Sequence, residues 1–161
     1  MLALIDLKDK NKPYVPVDVR FNISGDAFLV ADTRGQVIMF QLQANKYIVV
    51  CQSAKMHNVS FSCFVGRQTP SDQVMVVLKE KKMIKTHSLN GKIIDKIAGA
   101  HSQEVRGLEH NQVVMGHMVT VSPDTCVIWT ASGSSNSISK LRSIYSKDGN
   151  HFVQAKFSAD G

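Results

Sequence analysis

The sequence lacks several features that would assign it to a common functional class. Its three cysteines, Cys51, Cys63 and Cys126, are odd in number and form no CxxC pair, which argues against a disulfide framework or a zinc site. No apolar run approaches the roughly 18 residues that a membrane helix needs, and the opening apolar run at residues 1–5 is too short for a secretory signal. These absences predict a soluble, cytoplasmic chain with reduced and buried thiols.

Motifs for catalysis and cofactor binding are missing as well. No GxxxxGK[ST] phosphate loop occurs, and residues 90–92, Asn-Gly-Lys, instead fit a tight turn. His101, His110 and His117 lack the close spacing of metal ligands, and there is no HExxH stretch. The sequence therefore predicts no metal, no cofactor and no enzymatic activity.

Acidic residues are outnumbered by basic ones, 13 Asp and Glu against 19 Lys and Arg, for a formal net charge of +6. Such an excess favours acidic partners. Aromatic residues amount to 7% and are not interleaved with the basic ones, which disfavours a stacking platform for nucleic acid. We therefore expect an acidic protein partner, with nucleic acid and membranes ranked below it and no small-molecule substrate.

The apolar residues occur in short segments of five to seven residues that stop at Gly, Asp, Asn or Lys clusters. Four such segments lie at residues 17–21, 27–31, 36–42 and 46–51, and four more at 59–64, 73–78, 83–88 and 92–98. A third group covers residues 105–145, and a further segment covers 151–157. This pattern predicts an all-β chain built of four-stranded antiparallel meanders.

The meanders repeat along the chain with a loose period. Three third-strand residues, Phe40, His87 and Trp129, lie 47 and 42 residues apart. Four residues taken as inner-strand equivalents, Phe21, Phe61, Leu108 and Phe157, lie 40, 47 and 49 residues apart. A period of this size is typical of one blade of a β-propeller.

Several segments carry a resemblance to the WD40 repeat family. Phe21–Asp26 and Phe157–Gly161 resemble the end of its first strand, and Ile84–Lys92 resembles its third strand with a Gly-Lys turn. Gly99–His101 is similar to its Gly-His pair, and Ser122–Asp124 before Trp129 is similar to its Asp-to-Trp spacing. No Trp-Asp dipeptide occurs in this chain. The resemblance implies a β-propeller.

Within that family, residues 24–42 and 124–129 resemble the amino-terminal WD40 region of TBC-domain proteins associated with centriolar satellites and cilia. This closer resemblance implies a place at the cilium, the centrosome or another cytoskeletal assembly. No TBC domain lies in these residues, so it implies no GTPase-activating role.

We therefore predict an all-β, WD40-like β-propeller that is partial, with about three four-stranded antiparallel blades and the start of a fourth. The predicted ranges are 1–16 for an outer strand of a preceding blade or an extension, 17–56, 57–100 and 101–147 for the blades, and 148–161 for the start of the next. Because a lone blade leaves apolar sheet faces uncovered, the rest of the propeller or a larger complex is needed to complete the fold.

The resemblance also implies a structural hydrogen-bond group made of His101, Ser122, Asp124 and Trp129. Polar groups of this kind stabilise a fold when every buried donor and acceptor is satisfied. The same residue types could form a hydrolase triad, but catalysis would also need an oxyanion site and a pocket, which the sequence does not show. The structural interpretation is the one we carry forward.

Five basic residues form a candidate partner-binding face. Alternate connections of an antiparallel meander emerge on one side, which would gather Arg34, Lys55, Lys79, Lys81 and Lys82. One interpretation is a surface for an acidic partner, with binding that weakens in salt. The other is a solvated surface whose lysines keep strand edges from aggregating.

These observations favour a non-catalytic WD40 scaffold that mediates protein–protein interactions within a larger protein. The alternative is a structural component of a microtubule-based ciliary or centriolar assembly that docks through the basic face.

Overall fold

The computed structural model describes residues 15–52, 59–65, 73–78, 83–88, 93–97, 99–131 and 138–161. Within these residues all regular elements are strands, and they form three four-stranded antiparallel sheets. The prediction of an all-β chain of four-stranded meanders is confirmed. In the part described, no helix is suited to cross a bilayer.

Each sheet is a meander whose strands pair in chain order. The first sheet contains β1 (Pro16–Phe21), β2 (Ala27–Asp32), β3 (Val37–Gln43) and β4 (Lys46–Gln52). The second contains β5 (Val59–Phe64), β6 (Gln73–Leu78), β7 (Met83–Ser88) and β8 (Ile93–Ile97). The third contains β9 (Gly107–His110), β10 (His117–Val121), β11 (Thr125–Ala131) and β12 (Ile138–Tyr145).

Local sequence explains the inner and edge strands of the first sheet. All six residues of β2 are buried, and five of them are apolar, as expected for a central strand of the sheet. β1 alternates instead, with Val17, Val19 and Phe21 exposed on one side and Asp18 and Arg20 partly buried on the other. The sheet edge at β1 therefore presents a different chemistry to each side.

The three sheets stack through their first strands, because β1 contacts β5 and β5 in turn contacts β9. One apolar core lies between the first and second sheets and includes Leu29, Met39 and Phe64. A second core lies between the second and third sheets and includes Cys63 and Trp129. The first strands thus form the inner side of an arc of sheets.

The pairing register defines equivalent positions in the three sheets. In each, one first-strand residue opposes the second residue of the next strand: Phe21 with Phe28, Phe64 with Val74, and His110 with Met118. The third-strand residues Phe40, His87 and Trp129 oppose the same three partners, as their spacing in the sequence predicts.

Two of the inner-strand equivalences expected from the sequence are wrong. Phe21 corresponds to Phe64 and His110, not to Phe61 and Leu108. A register shift between Val59 and Phe61 changes the alternation in β5, and a histidine in β9 takes the place that the pattern reserves for an apolar residue. The sequence comparison therefore aligned Phe61 and Leu108 with Phe21, three and two residues before the true equivalents, Phe64 and His110.

The last described segment ends in the same way as β1. The Gly161 amide donates to the Ser158 carbonyl at 3.1 Å, and the Gly25 amide donates to the Asn22 carbonyl at 3.2 Å. Both glycines have positive φ, +98° and +73°, a conformation that favours glycine over other residues. By this turn Phe157 corresponds to Phe21, although residues 151–157 are assigned to no strand.

Candidate functional site

A buried hydrogen-bonded chain, called here the His101 network, connects His101, Thr120, Ser122, Asp124 and Trp129. The Trp129 Nε1 atom lies 2.8 Å from Thr120 Oγ1, which lies 2.7 Å from His101 Nε2. His101 Nδ1 lies 2.8 Å from Ser122 Oγ, which lies 2.8 Å from Asp124 Oδ1. The structure thus brings the four predicted residues together, with Thr120 as an additional member between two of them.

The chemistry of the two ends sets the direction of every hydrogen bond in the network. The indole N–H of Trp129 can only donate, and the carboxylate of Asp124 can only accept. Ser122 therefore donates to Asp124 and accepts from His101 Nδ1. Because burial keeps His101 neutral, its Nε2 accepts from Thr120, whose oxygen accepts from Trp129. This direction assigns His101 as the neutral tautomer protonated on Nδ1.

Burial and hydrogen bonding set the charge states of the network. Burial lowers the pKa of His101, partly opposed by the nearby charge of Asp124, so its imidazole stays neutral at pH 7. Burial raises the pKa of Asp124, but hydrogen bonds, including those from Ser102 and Ser122, lower it by more. The net pKa of Asp124 is therefore below its ordinary value. A neutral histidine and an ionised aspartate are the states that the hydrogen-bond direction requires.

The order of the network differs from that of a hydrolytic triad. A catalytic aspartate orients the histidine from its second nitrogen. Here Asp124 contacts Ser122, while the second nitrogen of His101 is bonded to Thr120. Ser122 and His101 are also buried, at 0% and 4% exposure. The arrangement suits a structural role and leaves no free base beside Ser122.

A second polar cluster, called here the Arg20 bridge, links the first strands of the three sheets. Arg20 Nη1 of β1 lies 2.8 Å from Glu109 Oε2 of β9, and Arg20 Nε lies 3.1 Å from Asp18 Oδ1. The Ser62 amide of β5 donates to Asp18 Oδ2 at 3.0 Å. Three sheets that share no strand are therefore connected by one guanidinium and two carboxylates.

A small residue in the middle sheet makes the bridge possible. Arg20, Cys63 and Glu109 each oppose the third residue of the following strand, so they occupy equivalent positions. Cys63 is fully buried, and burial raises the pKa of its thiol. Because its side chain is short, Arg20 can extend past the second sheet to Glu109.

The two carboxylates of the Arg20 bridge act on the guanidinium of Arg20. Burial lowers the pKa of Arg20, but the charges of Asp18 and Glu109 raise it more, and the net pKa lies above its ordinary value. Such charge-assisted hydrogen bonds are stronger than neutral ones. The bridge therefore joins the first strands through a stably charged guanidinium.

Of the predicted basic face, only Arg34 lies among the described residues. It sits in the turn between β2 and β3, where its Nε atom lies 3.2 Å from Asp32 Oδ2 and its side chain is 16% exposed. The other four members, Lys55, Lys79, Lys81 and Lys82, lie outside the described residues. Whether the five form one binding face stays a prediction.

Reasoning from the sequence missed Thr120 and the Arg20 bridge. Thr120 belongs to no recognisable motif, and only its position on the strand beside Trp129 gives it a role. For the bridge one local signal existed, since Asp18 and Arg20 alternate with valines in an otherwise apolar segment. Their partner Glu109 lies 89 residues away from Arg20 and had no such signal.

Comparisons with known proteins identify the fold. No protein-family model matches the sequence, and no curated protein matches it. Kluyveromyces lactis Hsv2 matches in structure with a TM-score of 0.59 and 13% identity, over 82% of this chain and 37% of that one. Saccharomyces cerevisiae Sqt1 gives 0.62 and 8%, over 83% and 38%. A chain of Chaetomium thermophilum polycomb repressive complex 2 gives 0.60 and 18%, over 78% and 30%.

These solved structures are WD40 β-propellers, so the predicted partial propeller fold is confirmed. Identities this low show the fold and not the function. The chain spans 40% of the length of one matching Hsv2 chain and 29% of a chain of polycomb repressive complex 2. None of the comparisons supports the closer resemblance to TBC-domain proteins of centriolar satellites and cilia.

Proposed function

We propose that this chain is part of a non-catalytic WD40 scaffold that mediates protein–protein interactions. The observation that carries the proposal is the stack of three sheets, held by the His101 network and the Arg20 bridge. The polar side chains of both groups are hydrogen bonded within and between the sheets. A rigid stack of sheets is suited to present surface residues to a protein partner. WD40 propellers of known structure are similar to this chain in fold.

The outer face of the first sheet supports a place within a larger propeller. Val17, Val19 and Phe21 are 45%, 49% and 52% exposed, although they lie beside Phe28 and Phe40, which are buried. The ring of Phe28 stacks on that of Phe40 with centroids 4.7 Å apart. The opposite face of the same sheet is covered by the second sheet. By analogy, a further blade would cover this apolar face.

We propose that the partner is acidic and binds through the basic face defined above. The net charge of +6 supports this choice of partner. The side chain of Arg34 is already hydrogen bonded to Asp32, so we expect the lysines to contribute more than Arg34. Neither a comparison nor a described residue favours the microtubule-based alternative, and we propose the scaffold alone.

The test is affinity capture from native extract with the full-length protein, comparing wild type with the triple substitution Lys79→Glu, Lys81→Glu, Lys82→Glu. We expect captured proteins to be lost in the variant, and lost from the wild type as salt is raised to about 0.5 M. The matched control reverses three exposed lysines elsewhere, Lys46, Lys140 and Lys147. Equal capture by the two variants would rule out the basic face.

A further inference from the structure

We draw no further inference here: the strongest candidate, the apolar surface patch that Ile23 and the loop residues Val113, Val114 and Met115 expose at one end of the stacked sheets, is an unpartnered apolar face, and nothing in the structure shows what covers it.

Discussion

At the scale of single residues, Thr120 connects the side chains of His101 and Trp129. The sequence predicts both as members of one hydrogen-bond group but does not predict Thr120. Its hydroxyl accepts from Trp129 Nε1 and donates to His101 Nε2. A threonine on a buried strand is otherwise an ordinary β-branched residue. Thr120 therefore contributes to the network through its Oγ1 atom alone. Substitution by valine, which has nearly the same volume, removes that atom.

Thr120→Val should lower the free energy of unfolding by about 2–4 kcal/mol, because it leaves one atom of His101 and one of Trp129 buried without a partner. Chemical denaturation followed by tryptophan fluorescence measures the change, since Trp129 is the only tryptophan. Thr130→Val, half-buried on β11 and outside the network, is the control and should change stability by less than about 1 kcal/mol. Equal effects of the two substitutions on the free energy of unfolding would show that the hydrogen bonds of Thr120 do not stabilise the fold.

The two buried histidines make stability depend on pH. Burial lowers the pKa of His101 and of His110 in the folded chain from the ordinary 6.5. Between those lowered values and 6.5 the unfolded chain binds more protons, so stability is complete above pH 6.5 and is lost as the pH falls through the folded pKa values. Asp124, whose folded pKa is also lowered, loses its contribution only below its ordinary 3.8.

We therefore expect the denaturation midpoint to fall as the pH is lowered from 7.5 to about 5.5. His110→Phe should make this fall shallower, since one of the two histidines no longer takes up a proton on unfolding. Urea titrations at a series of pH values would show it. An unchanged slope in His110→Phe would mean that His110 is not kept neutral by the fold.

At the scale of elements, the first strands decide how the sheets are joined. β1, β5 and β9 are edge strands of separate sheets, and no backbone ladder connects them. The Arg20 bridge supplies a polar connection across them, and the apolar cores supply the rest. The short thiol of Cys63 leaves the space through which Arg20 reaches Glu109.

A double-mutant cycle with Arg20→Met and Glu109→Gln isolates the contact between the first and third sheets. The two side chains are 25% and 22% exposed, so a coupling of about 1–2 kcal/mol is expected, below that of a fully buried charged pair. Each single change is uncharged and close in size to the original side chain. A coupling near zero, measured by urea denaturation of all four proteins, would show that the apolar cores alone join the sheets.

At the scale of the whole molecule, the described sheets form part of a propeller and leave an apolar sheet face uncovered. Half-exposed Val17 and Val19 flank a face whose interior contains Phe28 and Phe40 together with aliphatic residues. Exposed patches of this kind promote association between molecules. The solved structures with this fold are longer than the present chain.

The isolated 161-residue chain should self-associate through this face. Val17→Lys with Val19→Lys should reduce the self-association seen by sedimentation velocity, because two charges would have to be buried in the contact. The matched control, Leu141→Lys with Ile144→Lys, changes two exposed apolar residues on β12 and adds the same charge. If both pairs reduce association equally, net charge and not the face is responsible.

The sequence by itself determined the strands, their meander order and the repeat. Alternation of apolar and polar residues and the turns at glycine and asparagine are local, and each strand pairs with its neighbour in the chain. For that reason the equivalence of Phe40, His87 and Trp129 could be predicted from spacing alone. The four predicted members of the His101 network could be named because the family resemblance marks their positions.

Only the tertiary structure decided which residues meet across sheets. Thr120 joins His101 and Trp129 through side chains that pack together after the strands have formed, and the Arg20–Glu109 pair joins residues 89 positions apart. The same holds for His110, whose unusual place among phenylalanines became visible only when the register aligned the repeats. Contacts of this kind depend on how sheets stack, a distance and an angle that local patterns in a chain do not contain.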